Sequence, residues 1–132
     1  MKEMFDKLLA SAIDARTAAY APYSRFFVGA ALMSEDGEIF TGCNVENISF
    51  GLTVCAERVA AFSAVAAKAK RFTALALVTD SPLPVNPCGA CRQVLYEFSP
   101  DLWVVSATLQ GKQKIFRLRE LLPHAFDDFN PS

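Results

Sequence analysis

No stretch of this chain approaches the roughly 20 consecutive apolar residues that a membrane-spanning helix needs. Its first residues, Met1 to Lys7, carry two acids and lack the hydrophobic core of a signal peptide. There is no linker, internal repeat or low-complexity segment, and 132 residues suit one domain over 1–132. A surplus of one charge sign is also missing. The formal net charge is −1 with acids and bases interspersed, so no basic stripe is present to track a nucleic-acid backbone. These absences point to a cytoplasmic protein with neither membrane nor nucleic acid as a partner. Four cysteines in such a setting favour free thiols or metal over disulfides. What the chain has in quantity is apolar side chains, at 52%. That excess implies a buried sheet and contacts between subunits.

Two of the cysteines organise the rest. In Pro87-Cys88-Gly89-Ala90-Cys91-Arg92-Gln93 they stand three apart at the expected start of a helix, a spacing that lets two thiolates share one cation. A third thiol and a carboxylate are offered by Val54-Cys55-Ala56-Glu57-Arg58, at another expected helix start.

In order along the chain, apolar periodicity predicts a helix over Glu3 to Tyr20, ended by Ala21-Pro22. Phe26 to Met33 and Ile39 to Val45 read as a hairpin around Asp36-Gly37, with Gly29 placed to let another backbone approach. Phe26 and Phe27 must face opposite sides of the sheet, and only one can face a pocket. Thr53 is a candidate N-cap for a long buried helix over Ala56 to Lys70. Phe72 to Thr79 is a buried strand, and the loop after it holds three prolines. Then come a helix to Phe98, a strand over Leu102 to Leu109 with Trp103 in the core, a turn at Gln110-Gly111-Lys112, an edge strand to Phe116, and a short helix over Arg117 to Leu122. The tail carries a surface histidine, His124, with Phe126 and Phe129. The fold expected is α/β, a three-layer α/β/α arrangement around a mixed five-stranded sheet. Two strand–helix–strand passages imply parallel neighbours. Both cysteine clusters fall near strand ends, where open α/β sheets form their crevices.

Helix N-termini carry partial positive charge, which favours thiolate at Cys55, Cys88 and Cys91. Zinc suits three sulfurs, and three protein ligands leave a fourth position for water, as in catalytic sites. Glu57 can project from the first helical turn beside that water and move its proton. Three thiolates leave excess negative charge, which Arg58 or Arg92 could offset, with Arg58 preferred. Asn44 and Glu46 share a face and could hold a diol. On those residues alone an ordinary polar loop is the preferred reading.

The Cys-Ala-Glu and Pro-Cys-Gly-Ala-Cys blocks resemble those of zinc nucleoside deaminases. Ala21-Pro22-Tyr23-Ser24-Arg25-Phe26, Val28-Gly29-Ala30-Ala31-Leu32, Gly42-Cys43-Asn44-Val45-Glu46-Asn47 and Glu120-Leu121-Leu122-Pro123 extend the resemblance to the small homotetrameric cytidine deaminases, from about Leu9 to Phe126. The resemblance implies hydrolysis of cytidine and deoxycytidine in pyrimidine salvage, with one Zn²⁺ per chain on Cys55, Cys88 and Cys91 and with Glu57 as proton shuttle. It implies that Asn44 and Glu46 hold the ribose, that Phe26 packs on the pyrimidine and that the Ala56 backbone bonds the base carbonyl. It also implies a homotetramer whose active sites are shared, with Phe126 reaching into a neighbour's site and Phe129 as the competing aromatic. Three rivals stand beside it. One is a structural zinc module with Cys43 as fourth ligand. Another is a deaminase of cytosine-bearing antibiotics, which lacks the acid at Glu46. The third is a polynucleotide deaminase.

Overall fold

The computed structural model describes residues 1–129. Its elements run α1 Lys2–Arg16, β1 Val28–Ser34, β2 Ile39–Cys43, a 3₁₀ turn Phe50–Leu52, α2 Ala56–Ala66, β3 Phe72–Thr79, α3 Gly89–Phe98, β4 Trp103–Thr108, β5 Gln113–Arg117 and α4 Leu118–Leu121. One five-stranded sheet has the order β2-β1-β3-β4-β5.

Side-chain alternation along the strands builds two cores. Leu32, Leu75, Leu77 and Val104 point to the face covered by α2 and α3. Ala31, Ala74, Ala76 and Val105 point the other way, against Phe5, Leu8, Leu9 and Ala12 of α1. The face under α1 is therefore surfaced by small residues, and the helix lies close. Gly29 is where it lies closest. A Cβ there would sit 2.0 Å from the Ala12 carbonyl oxygen, so the expected backbone approach is made by α1.

The strand pairing corrects one expectation. Only β3 and β4 are parallel neighbours. Strands β2 and β3 also run the same way, but β1 lies between them, antiparallel to both. The hairpin partner occupies the place a parallel neighbour would have taken.

Two helices stop short of their expected ends. Beyond Arg16, the N–H groups of Thr17, Ala18 and Ala19 bond to carbonyls three residues back, and the Thr17 hydroxyl donates to Asp14. Tyr20 is then drawn into a bridge with Val45, donating to the Asn44 carbonyl while its own carbonyl accepts from Glu46 N–H. At the end of α2, Lys68 adopts φ +73°. Ala69 N–H bonds to Ala64 and Lys68 N–H to Val65. This is a Schellman closure with lysine where glycine is usual. The N-cap of α2 is Cys55, not Thr53, whose hydroxyl instead accepts from Asn47 N–H. Trp103 is half-buried rather than fully in the core, edge-on to Phe5 and covered by the Arg117 guanidinium at 3.7 Å. His124 is exposed, as expected. Among the described residues no helix is long and apolar enough to cross a membrane.

Candidate active site

Two helix N-termini meet where β1 begins and β3 ends. Cys55 caps α2 and Cys88 caps α3, both in extended backbone, while Cys91 lies buried in the first turn of α3. Their sulfurs lie within 4.8 Å of one another, with 3.9 Å between Cys55 and Cys88 and 3.3 Å between Cys88 and Cys91. Tetrahedral zinc with bonds of about 2.3 Å sets its sulfurs about 3.8 Å apart. The three sulfurs fit such an ion. Cys43 is outside this group, which is the only cluster of candidate metal ligands among the described residues. Burial raises the Cys43 thiol, as suits a small core side chain.

The charge on the cluster is uneven. Cys55 is drawn down to about 5, first by its hydrogen bond with Cys91, with the Arg58 guanidinium adding to the pull. Cys91 is pushed far up by that same shared proton and by burial. An Arg58 terminal nitrogen stands 3.6 Å from Cys55 Sγ, and its Nε is buried without an acceptor among the described residues. Arg92 faces elsewhere, donating to the carbonyls of Pro87 and Leu121. Of the two arginines, the structure brings only Arg58 to a sulfur.

Glu57, at 4% exposure, is the buried acid of the site. Burial raises its carboxyl to about 7, the Cys55 charge adds to that, and its own backbone N–H and the Cys91 thiol pull it back. A cavity of about 330 Å³ opens over it. Phe26, Asn44, Glu46, Cys55, Ala56 and Cys88 all line that cavity. Phe27 turns away, under the Arg16 guanidinium. Of the paired phenylalanines, Phe26 is thus the one facing the pocket.

Asn44 and Glu46 are not a plain polar loop. Asn44 Oδ1 accepts from Val28 N–H at 2.9 Å, and its amide donates to the Phe26 carbonyl at 2.7 Å. Glu46 Oε1 accepts the Tyr23 and Ser24 N–H groups, each at 3.1 Å, and Oε2 accepts the Ser24 hydroxyl. These bonds hold the Glu46 carboxyl below its usual range, with the Ser24 hydroxyl the largest cause. The two side chains staple the loop that carries Phe26 to the end of β2. Phe126, 65% exposed, does not line this cavity and packs edge-on against Phe129. Its backbone is clasped by Gln93, which donates to the Phe126 carbonyl at 2.8 Å and accepts its N–H at 3.3 Å.

Residues 2–107 match the family model described as cytidine and deoxycytidylate deaminase zinc-binding region. The chain belongs to the cytidine and deoxycytidylate deaminase family. Among curated members of that family, it is 50% identical over 126 residues to a cytidine deaminase of Halalkalibacterium halodurans, covering 93% of this chain and 96% of the relative. It is 49% identical to that of Sporosarcina psychrophila over 122 residues, covering 92% and 90%. The crystal structure of a Burkholderia pseudomallei cytidine deaminase superposes with a TM-score of 0.89 at 51% identity, covering 92% of this chain and 98% of the other. The mixed α/β fold is thereby that of known cytidine deaminases, and the cysteine triad falls inside the matched zinc-binding region.

Sequence reasoning missed Ser24, Asn86 and Val85 as cavity lining, and Gln93 as the clasp on Phe126. Nothing local marks them. Ser24, Val85 and Gln93 each have a partner distant along the chain, in Glu46, Ser106 and Phe126. Gly42 was missed too. A Cβ there would lie 2.4 Å from the Ala56 carbonyl oxygen and 2.5 Å from Ala60 N. Its absence lets the α2 N-terminus, with Cys55 and Glu57, settle on the sheet.

Proposed function

We propose that this protein hydrolyses cytidine and deoxycytidine to uridine and deoxyuridine with release of ammonia, as one domain over 1–132 serving pyrimidine salvage in the cytoplasm. The observation that carries this is the meeting, over one cavity, of a three-sulfur cluster, a buried Glu57 carboxyl and the pair Asn44 and Glu46. When held by Cys55, Cys88 and Cys91, zinc supplies a Lewis acid that lowers the pKa of water towards ~7. Glu57 handles the protons. A carboxyl raised to about 7 accepts a proton and returns it at neutral pH. It would take the proton that water gives up, deliver it to N3 of cytosine, and carry a proton to the amino group that leaves as ammonia.

The other side chains bind and orient. Phe26 would pack against the pyrimidine, the Ala56 backbone would bond the base carbonyl, and Asn44 and Glu46 would hold the ribose. Arg58 would offset the charge of the thiolates. The working form would be a homotetramer in which Phe126 closes a neighbouring site. Its strong exposure, and that of Ile48, Phe50 and Leu52, supports a covered surface in the assembly. Neither nucleic acid nor membrane is a partner. The test is direct. Incubation with cytidine should yield uridine and ammonia in equal amounts, and cytidine left intact by the zinc-loaded protein would refute the reading.

A further inference from the structure

Glu46 has its acceptor sites unequally filled. Oε1 already accepts two backbone N–H groups, from Tyr23 and Ser24, whereas Oε2 accepts, among the described residues, only the Ser24 hydroxyl. A carboxylate oxygen offers about two lone-pair sites. The remaining site for a sugar hydroxyl is therefore on Oε2, beside Ser24. The same hydroxyl does a second task. Ser24 Oγ accepts the Phe26 N–H at 3.0 Å. One hydroxyl thus spans from the carboxylate on the sugar side of the cavity to the backbone of the aromatic on its base side. Ser24 itself lines the cavity with both.

We propose that Ser24 is a positioning residue that sets specificity for a hydroxylated sugar, by aiming Glu46 Oε2 at the sugar hydroxyl and tying that carboxylate to the backbone of Phe26. This rests on the reading that Glu46 holds the ribose. The Ser24 hydroxyl hydrogen is committed to Oε2, because its oxygen is the acceptor for Phe26 N–H. Oε2 is thereby fixed in direction while keeping a lone pair free. Without the hydroxyl, Glu46 keeps its two bonds to Oε1 and can swing Oε2 about them, and Phe26 N–H loses its acceptor.

The experiment compares Ser24→Ala, Ser24→Thr and Glu46→Ala as zinc-loaded proteins on two substrates, cytidine and 2′,3′-dideoxycytidine, which lacks the hydroxyls Glu46 would hold. For Ser24→Ala, kcat/KM on cytidine should fall about tenfold, the scale of a hydrogen bond to a charged group. The fall should lie in KM, with kcat within about twofold. On dideoxycytidine the same variant should lose clearly less, since only the tie to Phe26 is missed there. Ser24→Thr keeps the hydroxyl and should restore the cytidine KM. Equal losses on both substrates would make Ser24 a general loop support, and no loss on either would leave it without a role; both overturn the proposal. Glu46→Ala separates the underlying reading. If it loses no more on cytidine than on dideoxycytidine, Glu46 does not hold the sugar, and the proposal falls with that reading rather than by itself.

Discussion

Arg58, half-buried in the first turn of α2, rests its guanidinium on Cys55. Replacing it with glutamine should weaken zinc binding by about tenfold, at the lower end of what partners of metal ligands contribute. Competition with a chromophoric chelator measures this, and unchanged affinity would remove Arg58 from the charge balance. Cys43→Ala should leave one zinc per chain, since Cys43 is outside the sulfur cluster. Glu46 carries a pH signature. Its carboxyl is held below the ordinary value by Ser24, so the charged form's bonds to the loop are fully present above that value and are lost as pH falls through the depressed one. The cytidine KM should accordingly stay flat with respect to this group down to about pH 4.3 and rise only below it. A KM–pH profile that rises through pH 5 to 6 for this group would contradict the bonding described. At this scale the sulfur cluster and the buried Glu57 beside it were legible because a metal site and a proton carrier need particular residue types at particular spacings. Ser24 and Gln93 were not, because a serine or glutamine shows its purpose only through a partner 22 or 33 residues away.

Helix α2 owes its seat to one missing Cβ. With Gly42 pressed to 2.4 Å from the Ala56 carbonyl, Gly42→Ala must move backbone, because no flexible side chain stands in the way. The expected cost is about 3 kcal/mol, the upper range for overpacking a tight core. It should appear as a lower midpoint of denaturant unfolding together with weaker zinc binding, because Cys55 travels with the helix. Gly51→Ala is a control, since among the described residues nothing lies within 4 Å of a Cβ there. The element order was readable from periodicity and turn residues. The sheet order was less so. A local strand–helix–strand passage says which way the next strand runs, but the insertion of β1 between β2 and β3 depends on which long-range pairing buries more apolar surface. The ends of α1 and α2 were misjudged for a related reason. Tyr20 is captured by a bridge to Val45, and Lys68 closes α2 in a left-handed conformation that the presence of lysine does not advertise.

At the scale of the whole molecule, the exposed apolar side chains include the loop of Ile48, Phe50 and Leu52 and the tail pair Phe126 and Phe129, the last two at 65% and 89% exposure. Sedimentation should find a species of about four chains of 14.4 kDa each. Phe126→Ala should raise the cytidine KM with zinc content unchanged. Phe129→Ala should change it less, because Gln93 clasps the backbone of Phe126. We propose that the buried Glu57 carboxyl turns three converging sulfurs from a structural clip into a reaction centre. Glu57→Gln tests it most directly, through zinc content and cytidine turnover measured on the same preparation. The expected outcome is one zinc per chain, an unchanged fold and turnover reduced by about a thousandfold or more. Substantial turnover in that variant with zinc in place would contradict it.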